Sequence, residues 1–188
     1  MKEVFISVDV ETDGPIPGRY NMLSLGAAAF NTDSNLLGTF SVNLLKVSSE
    51  RHRKTEKFWA ENPKAYAATQ TNPIAPVHGM QNFTHWVESF PGKPVCVCYP
   101  AGFDWTFLYW YLIEYTSKSP FGFSCIDIKT YAAAVLRTPY RETSKASMPK
   151  RWFGPGKHTH VAVEDAIEQG ELFCRMRLDN HRTPAIVA

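Results

Sequence analysis

The chain has 188 residues, a formal net charge of +2, and a composition that is 44% hydrophobic and 20% charged. That profile fits an ordinary water-soluble globular domain with a substantial core, and it gives no overall basic excess to announce a nucleic-acid partner. Met1-Lys2-Glu3 running straight into a strand does not fit a signal peptide, and no apolar run is long enough to span a membrane.

In chain order, Val4 to Val10 (Val-Phe-Ile-Ser-Val-Asp-Val) is apolar or small except for Asp9, and reads as a strand buried on both faces. It ends in acids and a turn at Thr12-Asp13-Gly14. Strand side chains repeat every second residue, so Asp9 and Glu11 leave one face about 6–7 Å apart. Two carboxylates there repel each other and are costly to desolvate, and a divalent cation between them would remove both penalties. Read alone, the pair also fits a strand end whose acids point to solvent.

Leu23 to Phe30 reads as a second strand, Asn31 to Asn35 as a polar turn, and Leu37 to Val47 as a third extended run. Links this short predict an antiparallel meander. Arg51, His52, Arg53, Lys54 and Lys57 form a basic surface segment running into Phe58-Trp59. Helices are expected from Pro63 to about Thr69 and between Pro76 and Phe90, the second closed by Pro91-Gly92. Val95 to Tyr99 reads as a short strand leading into a helix that continues to about Tyr115. Cys125 to Asp127 reads as a last strand and Ile128 to Leu136 as a helix.

Residues 137–157 read as a long basic loop, and a final helix is expected from about Val161 to Arg177. The order implies one α/β domain over 1–178 with a mixed sheet covered by helices, and a short tail over 179–188. Cys96, Cys98, Cys125 and Cys174 lack C-x-x-C spacing and read as small core residues rather than zinc ligands or a disulfide, which makes the cytoplasm the expected compartment.

Three further residues stand out. Asp104 opens an aromatic-rich helix just past a buried strand, a position where Asp commonly serves free helix-start amides. Asp165 lies in an acidic run that also fits a solvated helix face. His160 precedes it by five residues, which on a regular helix is about 140° net, so the two share a site only if His160 sits on the loop or first turn.

Asp9-x-Glu11, Phe103-Asp104 followed by Phe107-Leu108, and His160 with Asp165-Ala166 together resemble the three motifs of the DEDDh 3′–5′ exonucleases. This RNase H-like group includes polymerase proofreading subunits, oligoribonuclease and RNase T. Leu23-Ser24-Leu25-Gly26-Ala27 resembles the family's second strand, and Ile126-Asp127 a later strand that often carries an Asp. Pro100 stands where many members have Asn, which bears on substrate contacts rather than on the metal ligands.

The resemblance implies hydrolysis of RNA or DNA from the 3′ end with two divalent cations, Mg²⁺ or Mn²⁺, about 3.5–4 Å apart. Asp9, Glu11, Asp104 and Asp165 would be the ligands, Asp9 bridging both ions and Asp104 reaching one through water. Such hard cations suit carboxylate oxygens with open positions. His160 would deprotonate the attacking water, a role suited to an unperturbed pKa of about 6.5.

Thr12 would help hold the terminal 3′-hydroxyl. Phe103 and Lys157 are further candidate substrate contacts. Trp152 and Phe153, on the basic loop beside His160, are candidate stacking residues, whereas Trp105, Tyr109 and Trp110 read as core. The expected partner is a single strand or a 3′ overhang, and related exonucleases are often dimers. Two other readings differ in what they require. A silent nucleic-acid-binding module would need neither His160 nor four clustered acids, and an RNase H-like endonuclease would not need His160 at this spacing.

Overall fold

The computed structural model describes residues 2–154 and 159–182. Five strands form one mixed sheet: β1 (Glu3–Thr12), β2 (Met22–Asn31), β3 (Leu36–Asn43), β4 (Lys93–Cys98) and β5 (Cys125–Asp127), ordered β3-β2-β1-β4-β5. β1–β2 and β2–β3 pair antiparallel, as expected of a meander, and β1–β4 and β4–β5 pair parallel. Among the described residues six α-helices pack around the sheet: α1 (Arg53–Glu61), α2 (Pro63–Thr69), α3 (Pro76–Glu88), α4 (Ala101–Thr116), α5 (Ile128–Leu136) and α6 (Ala162–Arg182). Among the described residues no helix is long and apolar enough to cross a membrane.

The two-residue strand period divides the core. Val4, Ile6, Val8 and Val10 of β1 pack with Met80, Phe83, Phe107, Leu108 and Tyr111 from α3 and α4. On the opposite face, Phe5 joins Ala28 and Phe30 of β2 with Leu172, Phe173 and Met176 of α6. Asp9 and Glu11 share the parity of Phe5 and so leave β1 on the α6 side.

Four elements differ from the sequence-based expectation. β3 stops at Asn43 because the chain then pairs across to Ile74, with Leu45 donating to the Ile74 carbonyl and Ile74 to that of Asn43. The basic segment is helical from Arg53, since Thr55, Phe58 and Trp59 recur at helical spacing and line one cavity. Residues 137–154 are packed rather than loose, with 3₁₀ turns at Tyr140–Glu142 and Lys150–Trp152. The last helix runs on to Arg182, and its Asp179 accepts from Trp152 Nε1 (2.6 Å) and pairs with Arg151 (2.7 Å).

Candidate active site

β1 pairs with β2 from Val4 to Thr12, which fixes Asp9 opposite Gly26 and Glu11 opposite Ser24. The absence of a side chain at Gly26 lets another element come close. A Cβ there would stand 2.1 Å from the Ala162 carbonyl carbon, so the start of α6 lies directly on β2. That contact brings Asp165, one turn into α6, over the end of β1.

His160 occupies the bend immediately before α6, in a left-handed backbone conformation (φ 57°). Asp165 Oδ1 accepts from the Thr159 backbone N–H at 3.0 Å, tying the histidine-bearing turn to the helix it precedes. Ligand atoms of Glu11, His160 and Asp165 all lie within 4.8 Å of one another. The imidazole meets the Phe58 ring edge-on, with centroids 5.0 Å apart and planes at 88°.

Asp104 arrives from the other side of the sheet, in the first turn of α4, and accepts from the Val10 backbone N–H at 3.3 Å. The start of α4 is held in turn by Asp127. One carboxylate oxygen of that residue accepts from Ala101 N–H (3.1 Å), and the other caps α5 by accepting from Thr130 N–H (3.0 Å). The acid of the last strand is therefore a brace for α4.

All four acids are buried, Asp165 and Asp104 almost completely. Burial, reinforced by Asp9 and Asp165, pushes the Glu11 carboxyl up to about 9. Burial also drives Asp104 well above the usual carboxylate range, Asp9 adds to this, and the Val10 N–H works against it. Hard oxygen donors that oppose one another's ionisation are a costly arrangement alone and a fitting one around divalent cations.

Glu11 and Thr12 open onto a cavity of about 320 Å³ whose walls include Lys54, Phe58, Trp59 and Phe103. Trp59 Nε1 donates to the Thr12 carbonyl at 2.9 Å, and Thr12 Oγ1 donates to that of Gly14 at 2.9 Å, so the turn after β1 is held from both sides. A larger cavity of about 590 Å³ lies beyond Trp59, between Lys46, Arg51, His52 and Tyr66, and holds none of the four acids.

Trp152 is not a stacking surface. It is 1% exposed, packed among Phe5, Ile128 and Phe173, because the extended α6 supplies Asp179 for its indole N–H. Phe153 packs against the same cluster, and Lys157 lies outside the described residues.

The sequence reading missed Phe58 and Trp59, hidden in a run read as solvated, and Gln169. Gln169 Nε2 donates to Asp9 Oδ1 at 2.7 Å. Its spacing of four from Asp165, on one helical face, was the available signal.

No family model matches the chain. It is 35% identical over 183 residues to the 3′-5′ DNA exonuclease Cap18 of Escherichia coli, an alignment that covers 92% of this chain and 90% of Cap18. Among solved structures it resembles the nuclease domain of 3′hExo, a DEDDh family member bound to rAMP (TM-score 0.66, 11% identity, 95% of this chain and 92% of that one). It also resembles S. pombe Pop2p in a form with Mg²⁺ and Mn²⁺ bound (TM-score 0.66, 13% identity, 95% and 86%). A third similar structure is the E. coli ExoI–ssDNA complex with zinc (TM-score 0.68, 14% identity, 98% and 42%).

Proposed function

Because the chain belongs to the DEDDh family of 3′–5′ exonucleases and is itself such an enzyme, we propose that it shortens DNA from the 3′ end, acting on single strands or 3′ overhangs in the cytoplasm. Asp9, Glu11, Asp104 and Asp165 hold two divalent cations, Mg²⁺ or Mn²⁺, and His160 is the general base. The observation that carries this is the convergence of Glu11, His160 and Asp165 within 4.8 Å at the end of the strand that also presents Asp9. DNA is favoured over RNA by the 35% identity to a DNA exonuclease.

Bound there, the cations supply charge neutralisation at the scissile phosphate and at the leaving oxygen. The chain's own residues do the rest. His160 takes a proton from water as the water oxygen bonds to phosphorus. The bond from phosphorus to the 3′-oxygen of the preceding nucleotide breaks, and that oxygen takes a proton from solvent water while His160 returns its own to solvent, leaving a 5′-mononucleotide and a new 3′-hydroxyl. The Phe58 edge limits imidazole rotation. The cavity beside Thr12 takes the terminal nucleotide, its base against Phe58, Trp59 or Phe103 and a phosphate near Lys54.

The test uses 5′-labelled DNA and RNA, single- and double-stranded, with Mg²⁺, Mn²⁺ or chelator, and with free or blocked 3′ ends. The expected result is a ladder shortening from free 3′ ends of DNA, abolished by chelator. Cleavage of 3′-blocked strands would indicate an endonuclease, and degradation of RNA with DNA untouched would overturn the substrate assignment. His160→Ala is expected to stay folded and bind substrate while losing about 10²–10⁴ in turnover; full activity would remove its assigned role.

A further inference from the structure

Three of the four cysteines converge on the α4 side of the sheet, in a cluster distinct from that of Glu11, His160 and Asp165, with Asp104 close enough to Cys96 to act on its charge. Cys96 and Cys98 stand two apart on β4 and so leave the same face, and Cys125 on β5 is the direct strand partner of Cys96. The Cys96 and Cys98 sulfurs are 3.7 Å apart, and all three Sγ atoms lie within 4.8 Å of one another. All are free thiols. Sulfurs sharing one cation at a metal–sulfur distance of about 2.3 Å stand roughly 3.8–4.0 Å from each other, so small side-chain adjustments would close the triangle.

We infer that Cys96, Cys98 and Cys125 form a second metal site, one that takes a thiophilic d¹⁰ cation, Zn²⁺ or Cu⁺, independently of the nuclease carboxylates. Soft sulfur donors select these ions over Mg²⁺ or Mn²⁺. Three sulfurs suffice for trigonal Cu⁺, while Zn²⁺ completes a tetrahedron with water. The route in is at Cys125, which is half-buried on the edge strand, whereas Cys96 and Cys98 are fully enclosed. An ion there ties β5 to β4, and Asp127 at the end of β5 carries that restraint to the start of α4.

The experiment titrates the reduced full-length protein with Co²⁺ under saturating Mg²⁺, and separately with chelator-buffered Cu⁺ and Zn²⁺. The expected result is a thiolate-to-cobalt charge-transfer band saturating at one equivalent, and one Zn²⁺ or Cu⁺ per chain retained through desalting. The bound ion should raise the melting temperature. Losing a direct ligand should cost at least the ~10–100-fold seen for outer-shell partners, so Cys125→Ser should weaken retention by that much or more. Cys174→Ser, which removes the cysteine outside the cluster, should not. Whichever ion is retained identifies the cation. No charge-transfer band together with no Zn²⁺ or Cu⁺ retained through desalting, retention unchanged in Cys125→Ser, or loss of free thiols without bound metal would each overturn the assignment.

Discussion

Gln169 donates its side-chain amide to Asp9 over 2.7 Å, joining the middle of α6 to the end of β1. Both residues are buried, and a hydrogen bond to a charged acceptor contributes about 1.5–3 kcal/mol. Gln169 thereby fixes one carboxylate oxygen of Asp9. Gln169→Met keeps the length and removes the donor. It is expected to fold and to need about 10–100-fold more Mg²⁺ for half-maximal activity, as losses behind a metal ligand commonly cost. Activity measured across a Mg²⁺ titration checks this; an unchanged midpoint would make the bond purely structural.

Glu11 and Asp104, both raised chiefly by burial, push the pH behaviour of the metal-free protein in the same direction. The Glu11 carboxyl is raised from 4.5 to about 9 in the folded state, chiefly by burial and then by Asp9 and Asp165. Between those values the native protein binds more protons than the unfolded chain, so stability falls as pH rises. In chelator, the melting temperature is therefore expected to drop from pH 5 to pH 9, by about 2–4 °C for each kcal/mol lost at this chain length. Mg²⁺ should restore it, and more strongly at the alkaline end. Melting curves with and without the cation give both slopes, and a chelated protein that grows more stable over this range would contradict the expected sign.

Locally, Asp9 and Glu11 fit a solvated strand end, Asp104 a helix-start acid and Asp165 a solvated helix face; the resemblance across the three motifs is what singles them out with His160, and the structure brings Glu11, His160 and Asp165 together. Most of the sheet was legible too, since β1, β2, β4 and β5 are apolar runs with clear stops. What was not legible depends on contacts distant in sequence. α1 was obscured because Arg53, Lys54 and Lys57 alternate with the side chains that Thr12 and His160 later cover. Trp152 was misread because its partner, Asp179, lies 27 residues away on a helix expected to end sooner.

Trp59 offers a clean separation of packing from hydrogen bonding. Its indole N–H reaches the Thr12 carbonyl at 2.9 Å in a buried position. Trp59→Phe retains an aromatic ring beside the cavity and leaves that carbonyl without its donor, a penalty of about 1–3 kcal/mol. With the turn around Thr12 less firmly held, KM for a single-stranded oligonucleotide is expected to rise several-fold with a smaller change in kcat. Steady-state kinetics separate the two, and an equal fall in kcat with KM unchanged would place Trp59 in the chemical step instead.

Gly26 makes the strictest geometric demand. Its partner across the ladder is Asp9, and a Cβ at this position would lie 2.1 Å from the Ala162 carbonyl carbon and 2.2 Å from the Val163 nitrogen. Those are backbone atoms, so no rotamer change relieves the clash and α6 itself must move. It would carry Asp165 and Gln169 with it, and the Thr159 bond to Asp165 would draw the His160 turn along. Overpacking of this kind costs about 1–3 kcal/mol, and a displacement near 1 Å costs about 10²-fold in rate. Gly26→Ala should therefore lower the melting temperature modestly while reducing single-turnover cleavage about 100-fold. Gly102→Ala is the matched comparison: nothing lies within 4 Å of its Cβ, in the first turn of α4, so it should melt no lower than the wild type. If Gly26→Ala cleaved at the wild-type rate, the close seating of α6 on β2 would not be what aligns Asp165 and His160 with Asp9 and Glu11.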